Sequence, residues 1–255
     1  MAKKCDGCQN GASLGFEIRT AFQPIVDLET FRPYAYEALV RGSSGESAAT
    51  ILSRVNDENR YAFDQVCRVN AIREAVSAGL LGTDAKLSIN FMPNAVYSPL
   101  ACIRLTLETA METGLPIDRI IFEFTENEQL DPMHVREIVR AYRALGFTTA
   151  IDDFGAGHAG LGLLANLQTD ALKLDMELIR NVDASRPRQQ IVKSMVGLCR
   201  EMGLRLIAEG VETEAELEAL ASAGVRYVQG YLLARPQIGV LPDIMYQARK
   251  KRRAA

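Results

Sequence analysis

The chain has 255 residues, of which 48% are hydrophobic and 24% are charged, and its formal net charge is -3. This composition is ordinary for a globular protein, and the length suits a single α/β barrel, a fold of roughly 250 residues. The small net charge favours neither a DNA-binding protein nor an acidic tail. No apolar run approaches the roughly 20 residues that span a bilayer, and the basic start of the sequence lacks the apolar region of a signal peptide. We therefore expect a cytoplasmic protein without a membrane span.

The first two predicted strands, residues 16–26 and 34–41, lie close together in the chain. Only residues 27–33 separate them, which is too short for the crossover that joins parallel strands. The sequence therefore predicts that these two strands pair antiparallel. A helical stretch follows over about residues 47–79, with a break near Asn56.

Beyond this point strand patterns and helix patterns alternate. We predict strands at 87–91, 120–125, 148–152, 171–175, 205–209 and 225–231, and helices at 99–113, 132–145, 160–166, 186–202, 214–223 and 241–252. Eight strands, with helices between all but the first pair, predict an α/β fold: a TIM-like (β/α)8 barrel with an antiparallel first strand. The expected organisation is a flexible N-terminal segment over residues 1–15 and a barrel domain over residues 16–255.

The five cysteines do not have the spacing of a disulfide framework. Cys5 and Cys8 form a CxxC pair, which supplies only half of a tetrahedral zinc site. A site shared across a dimer and a redox switch are the alternatives to a flexible terminus with two exposed thiols. Cys67, Cys102 and Cys199 lie in helix-like apolar patterns and are predicted to be small core residues.

Polar side chains mark the ends of the predicted strands, and in barrels of this kind the active site lies at the C-terminal strand ends. In chain order they are Glu37, Arg41, Asn90, Glu123, Thr125, Glu126, Asp152, Asp153, Lys173, Asp175, Glu209 and Gln229. In the segment ALKLD, residues 171–175, strand alternation directs Lys173 to the barrel interior and the leucines to the helices. An unpaired buried ammonium is very costly, so Lys173 must meet carboxylates from other strands.

Oxygen donors dominate this set of strand ends. The candidate metal ligands are Glu37, Asn90, Glu123, Asp152, Asp153, Asp175 and Glu209. Such donors suit Mg²⁺ or Mn²⁺, and Ca²⁺ by size, whereas His134 and His158, the only histidines, argue against zinc. Any one of these charged residues alone is better explained as part of a structural ion pair. Because polar side chains recur at the ends of seven strands, the whole set favours a metal-binding site. The adjacent Asp152 and Asp153 suit two cations, because one aspartate can bridge both cations while its neighbour holds the second. Two-metal chemistry of this kind indicates a phosphodiester substrate.

Eight sequence blocks, in order over about residues 16–240, resemble the EAL domain family of cyclic di-GMP phosphodiesterases. The blocks are FQPIVD (22–27), YEALVRG (36–42), LSINF (87–91), FEFTE (122–126), AIDDFGAG (150–157), ALKLD (171–175), IAEGVET (207–213) and VQGYLLARP (228–236). The resemblance implies the same TIM-like barrel with an antiparallel first strand. It also implies hydrolysis of cyclic di-GMP to linear pGpG with two Mg²⁺ or Mn²⁺ ions, and inhibition by Ca²⁺.

The resemblance further implies roles for single residues. Metal ligands would be Glu37, Asn90, Glu123, Asp152, Asp153, Asp175 and Glu209, with Asp152 bridging. The catalytic set would be Glu209 as general base, Lys173 orienting the water, and Glu37. Substrate contacts would be Gln23, Leu39, Arg41, Gln229, Arg235 and Pro236. The loop after the fifth strand, which in the family links the site to a dimer interface, would be anchored by Thr125, Glu126, Phe154 and Gly155.

That loop departs from the family pattern. It usually reads close to DDFGTGYSSL, whereas residues 152–161 read DDFGAGHAGL. Hydroxyl groups that would tie the loop are missing, while every ligand position is intact, so the departure bears on rate and on dimer coupling. Two alternatives stay open: a binding module, like family members that have lost catalysis, and a phosphodiesterase for another nucleotide. A homodimer and a regulatory partner in trans are further expectations.

Overall fold

The computed structural model of the chain describes residues 14–125, 131–156 and 160–246. Within them, nine strands form one sheet that closes into a barrel. The strands are β1 (Ile18–Asp27), β2 (Arg32–Gly42), β3 (Lys86–Asn90), β4 (Ile120–Thr125), β5 (Thr148–Phe154), β6 (Ala171–Leu174), β7 (Arg205–Ala208), β8 (Tyr227–Val228) and β9 (Gln237–Ile238). β2 to β8 pair in parallel and in chain order, while β1 pairs antiparallel with β2, β8 and β9. The predicted barrel with an antiparallel first strand is confirmed.

The helices lie between these strands. They are α1 (Ala48–Leu52), α2 (Arg60–Ser77), α3 (Pro99–Cys102), α4 (Arg104–Thr113), α5 (Pro132–Ala144), α6 (Gly160–Asn166), α7 (Met176–Ile179), α8 (Arg186–Met202) and α9 (Glu214–Ala223). Thr213 and Glu216 form a reciprocal capping box at the start of α9, which satisfies two backbone donors of the first turn. In the part of the chain that the structure describes, no helix is both long enough and apolar enough to cross a membrane.

Four elements differ from the sequence predictions. The helix predicted over 99–113 is divided at Ile103 into α3 and α4. The helix predicted over 241–252 is irregular through Ile244, because Pro242 has no backbone donor and disfavours helix at the preceding residue; its positions beyond 246 lie outside the described residues. β8 is two residues long, and β9 was not predicted, since its two exposed residues carry no hydrophobic alternation.

An apolar floor fills the barrel below its C-terminal mouth. Its members are Ile25, Ala35, Ile121, Ala150, Ala171 and Ile207. Two positions further along their strands, Ile121, Ala150 and Ala171 are followed by Glu123, Asp152 and Lys173. Because side chains two apart share one face of a strand, each of these strands leads from the apolar floor to a polar mouth.

Candidate active site

Lys173 lies at the centre of the barrel mouth, and its side chain is fully buried. Four carboxylate oxygens surround its Nζ, at 2.8 Å for Glu123 Oε2, 2.9 Å for Asp152 Oδ1, 2.8 Å for Glu209 Oε1 and 3.5 Å for Glu37 Oε2. These residues come from five different strands or strand ends, as the alternation argument for Lys173 predicts. The ammonium group of Lys173 therefore forms ion pairs with all four acidic side chains and holds them close together.

This cluster carries more negative charge than Lys173 can balance. If all four carboxylates were ionised, they and the one ammonium would carry a formal charge of -3. Burial, opposed by Lys173, raises the pKa of Glu123 to about 8 and holds the pKa of Glu209 well above its usual range. Burial also opposes the charge of Lys173, but the fields of Asp152, Glu123, Glu209 and Glu37 raise its pKa above the ordinary value. The site therefore favours additional positive charge.

Two sets of carboxylates are arranged as a pair of cation sites would require. Glu37, Glu123 and Asp152 form one set, and Asp152, Asp153 and Glu209 form the other; within each set the ligand oxygens lie within 4.8 Å of one another. Asp152 belongs to both sets, so it lies between the two candidate positions. Glu123 Oε1 is buried and has no hydrogen-bond partner among the described residues, which is unusual for a buried carboxylate oxygen. The donor set fits hard divalent cations.

An irregularity in β5 brings the adjacent carboxylates of Asp152 and Asp153 to the same mouth. Neighbouring side chains on a regular strand face opposite sides. Here the pairing of β5 with β6 shifts register between Ile151 and Phe154, and Asp153 adopts a left-handed backbone with φ 53°. Its N–H donates to Asp152 Oδ1 at 2.9 Å. Burial, followed by the charge of Asp152, raises the pKa of Asp153 to about 6.

A frame of amide side chains holds Glu37. Asn90 Nδ2 donates to Glu37 Oε1 at 2.9 Å, and Gln229 Nε2 donates to Glu37 Oε2 at 2.8 Å. Gln229 Nε2 also lies 3.2 Å from Gln23 Oε1, and Gln23 Nε2 donates to the carbonyl of Ala234 at 3.0 Å. Both oxygens of Glu37 are thereby oriented before any cation binds, while Asn90 Oδ1 remains a candidate ligand.

The mouth pocket, a cavity of about 230 Å³, opens beside this cluster. Its lining residues are Gln23, Glu37, Asp153, Asp175, Met176, Glu209, Gly210, Glu212, Gln229, Gly230 and Tyr231. Asp175 accepts a hydrogen bond from Glu177 N at 2.8 Å and caps α7. It therefore lies at the pocket wall, outside the two sets of close carboxylates.

The other predicted substrate contacts are distributed around the mouth. Leu39 lines a separate cavity of about 270 Å³, and Arg41 Nη1 donates to the carbonyl of Val40 at 2.7 Å. Neither residue lines the mouth pocket. The guanidinium carbon of Arg235 lies 4.3 Å from the ring centroid of Tyr231, and Pro236 follows it in the chain.

The predicted loop anchors are described in part. Thr125 is in register with Asp152 across β4 and β5, Phe154 is buried, and Gly155 has φ 103°. Glu126 lies outside the described residues, as do His158 and the CxxC cysteines.

Glu212, which lies just beyond the seventh predicted strand, lines the mouth pocket, and sequence reasoning missed four further lining residues: Met176, Gly210, Gly230 and Tyr231. These four residues follow the last residue of their strands by two or three positions, so inspecting the positions just after each strand would have identified them.

The fold and the site define a class of protein: a TIM-like barrel with one antiparallel strand and an acidic mouth suited to divalent cations. Residues 10–236 match the EAL domain family, and the chain belongs to this family.

Solved structures agree with this assignment. The chain is 51% identical, with a TM-score of 0.87, to a standalone versatile EAL protein from Vibrio cholerae O395 in its c-di-GMP bound form, covering 91% of this chain and 97% of that one. A manganese and cyclic di-GMP complex of Klebsiella pneumoniae BlrP1 is 35% identical, with a TM-score of 0.82, over 88% of this chain and 57% of that one.

The curated relatives of the chain include an antirepressor and a cyclic di-GMP phosphodiesterase. The blue light- and temperature-regulated antirepressor BluF of Escherichia coli K12 is 32% identical over 249 residues, 97% of this chain and 61% of BluF. The cyclic di-GMP phosphodiesterase PdeB of Shewanella oneidensis is 38% identical over 158 residues, 62% of this chain and 18% of PdeB. The chain thus spans less than two thirds of either relative.

Proposed function

We propose that the chain is a metal-dependent phosphodiesterase that hydrolyses cyclic di-GMP to linear pGpG at the barrel mouth. The observation that carries the proposal is the pair of carboxylate sets sharing Asp152, beside a buried Glu123 oxygen that lacks a partner among the described residues. The names of PdeB and of the cyclic di-GMP complexes support the choice of substrate.

The chain's own residues account for the chemistry as follows. Glu37, Asn90, Glu123 and Asp152 would hold one Mg²⁺ or Mn²⁺, and Asp152 with Asp153 the other, with Asp175 and Glu209 completing the surroundings. When bound, the cations lower the pKa of water and screen the phosphate charge. Glu209 would accept the proton of the attacking water, a role that suits its position in one set with Asp152 and Asp153.

Lys173 orients that water from the centre of the cluster. The water oxygen bonds to phosphorus as the bond to the ribose 3′ oxygen breaks, and the proton passes to the leaving oxygen. Gln23, Leu39, Arg41, Gln229, Arg235 and Pro236 are proposed to bind the substrate. Ca²⁺, which prefers more ligands at longer distances, is proposed to occupy the site without supporting turnover.

The test is hydrolysis of cyclic di-GMP by the purified chain, with products separated by chromatography. We expect pGpG with Mg²⁺ or Mn²⁺, none with EDTA, and loss of product with added Ca²⁺. Glu37→Ala should abolish turnover, while Glu218→Ala, an exposed carboxylate on α9, should leave it intact. Turnover that survives removal of divalent metal contradicts the proposal.

A binding module is the second candidate, favoured by the name of BluF and by the altered loop at residues 152–161. It predicts that cyclic di-GMP binds and stays intact with both Mg²⁺ and Mn²⁺. We also propose a cytoplasmic homodimer coupled to the site through Thr125, Phe154 and Gly155. Light scattering of the purified chain tests the dimer, and a monomer at micromolar concentration contradicts it.

A further inference from the structure

Arg180 and Glu212 form an ion pair at the rim of the mouth pocket. Arg180 directly follows α7, and Glu212 lies between β7 and α9. The distances are 2.9 Å from Arg180 Nη2 to Glu212 Oε1 and 2.8 Å from Nη1 to Oε2. Two parallel contacts between a guanidinium and a carboxylate fix the orientation of the carboxylate as well as its charge balance.

The backbone beneath this pair is held independently by Glu216. Its Oε1 accepts from Asn181 N at 2.9 Å, and its Oε2 accepts from Glu212 N at 3.0 Å and Thr213 N at 3.1 Å. Glu216 is buried, so these bonds anchor the segments that carry Arg180 and Glu212. The two segments are therefore held together by Glu216 as well as by the ion pair.

Glu212 lines the mouth pocket, in which every charged lining side chain is a carboxylate. It belongs to neither set of close carboxylates, and its side chain is 43% exposed. A free carboxylate at this position faces the space that a cyclic dinucleotide with two negative phosphates would enter. Without a counter-charge, it would repel that ligand.

Two cations act on the charge of Glu212. Arg180, the hydrogen-bonded partner of Glu212, contributes most to lowering the pKa of this carboxyl, and the charge of Arg235 acts in the same direction. Arg235 also lies over the ring of Tyr231 at the pocket wall. Both cations therefore offset the negative charge that Glu212 presents at the rim of the pocket.

We propose that Arg180 is a positioning residue for substrate binding. By holding Glu212 in the ion pair, it prevents this carboxylate from repelling the phosphates of the ligand. This inference rests on the proposed function of the mouth as a cyclic di-GMP site.

The test compares Arg180→Gln with the double variant Arg180→Gln/Glu212→Gln in the Mg²⁺-dependent assay. Arg180→Gln should raise KM about threefold, the size typical of an exposed charge interaction, with kcat within twofold of the wild type. The effect should shrink as salt is added, because exposed charges are screened. The double variant should return KM to the wild-type value. Arg73→Gln, which breaks a surface pair with Glu112, is the control of equal charge and should not change KM.

Calorimetry of cyclic di-GMP binding with Ca²⁺ in place of Mg²⁺ gives a second readout that does not need turnover. We expect Arg180→Gln to bind cyclic di-GMP more weakly than the wild type, and the double variant and Arg73→Gln to bind it as tightly as the wild type. An unchanged KM and Kd in Arg180→Gln overturns the inference. A double variant that binds cyclic di-GMP as weakly as Arg180→Gln overturns it as well. A wild-type chain that binds but does not hydrolyse the ligand counts against the proposed phosphodiesterase alone, since the calorimetric comparison still decides the role of Arg180.

Discussion

Lys173 Nζ lies 2.8 Å from Glu123 Oε2 at the centre of the barrel, and both side chains are completely buried. Removing the ammonium would leave carboxylates buried without compensation, a change that costs about 3–5 kcal/mol in buried pairs. We therefore expect Lys173→Met to lower the free energy of unfolding of the metal-free chain by about that amount. Urea unfolding with EDTA present measures the loss.

Added Mn²⁺ should restore part of that stability, because the cations replace the missing positive charge among the carboxylates. Lys193→Met, a change at an exposed position on α8, is the control and should neither destabilise the chain nor alter its response to Mn²⁺. A Lys173→Met chain that Mn²⁺ does not stabilise would contradict the assignment of these carboxylates as metal ligands.

Asp153 should make the metal-free chain less stable at neutral pH than at acidic pH. Its pKa is raised from 3.8 to about 6 in the folded chain, so between these values the folded state binds a proton that the unfolded state has lost. Stability therefore falls as pH rises through about 6. Asp153→Asn should raise the free energy of unfolding at pH 7.5 by about 1 kcal/mol, a value reduced for partial exposure, while abolishing turnover.

Asp27 provides a control of opposite sign. Its hydrogen bonds to Arg226 hold its pKa below the ordinary value, so it stabilises the fold above the unfolded pKa, and the contribution is lost as pH falls through the folded one. Asp27→Asn should therefore be less stable than the wild type at pH 7.5, with the difference vanishing in acid. Urea unfolding at both pH values measures both variants, and effects of the same sign would contradict this account.

Arg68 is a buried cation behind the site. Its Nη2 lies 2.8 Å from Asp64 Oδ2, and Asp64 Oδ1 accepts from Met92 N, two residues beyond Asn90. Arg68→Met would leave Asp64 buried and unpaired, so we expect a loss of about 3–5 kcal/mol in the free energy of unfolding. The double variant Asp64→Asn/Arg68→Met should lose less of the free energy of unfolding than Arg68→Met, because no unpaired charge remains buried. A double variant that is less stable than Arg68→Met would contradict this account.

Gly230 and Gly162 should respond oppositely to alanine. A Cβ at Gly230 would overlap the backbone of Val211, whose N–H donates to the carbonyl of Gln229 at 3.0 Å. Overpacking of this kind costs about 1–3 kcal/mol, and Gly230→Ala should also weaken ligand binding by displacing Gln229. Gly162 lies in α6 with open space around it, so Gly162→Ala should stabilise the chain by about 0.5–1 kcal/mol. Thermal unfolding of both variants provides the comparison.

Strand periodicity explains how much of the site was predictable. In parallel strands, a period of two decides which side chains face the interior, and the end of each strand decides their height in the barrel. Lys173, Glu123 and Asp152 could therefore be placed in one cluster from the sequence alone. The position of the adjacent Asp153 could not be predicted in this way. It depends on a register shift and on a left-handed backbone conformation, which the alternating pattern does not encode.

Sequence patterns could not predict side-chain contacts between segments that are distant in the chain. The guanidinium of Arg68 donates to the hydroxyl of Tyr142 at 3.0 Å, across 74 positions of the chain, and helical spacing gives no sign of that contact. The pairing of Arg180 with Glu212 spans 32 positions and leaves no sequence pattern either. β9 escaped prediction because its hydrogen bonds to β1 come from two exposed residues with no apolar pattern.

The reversed direction of β1 decides from which side the chain enters the barrel. Ile18, at the start of β1, is in register with Gly42 at the end of β2, so the chain ahead of Ile18 arrives at the catalytic face and not at the opposite rim. Leu14 and Phe16 already pack there against the cluster of Ile18, Ile51 and Phe63. A protein module joined upstream would therefore connect, through residues 14–17, to the same face of the barrel that carries the mouth pocket.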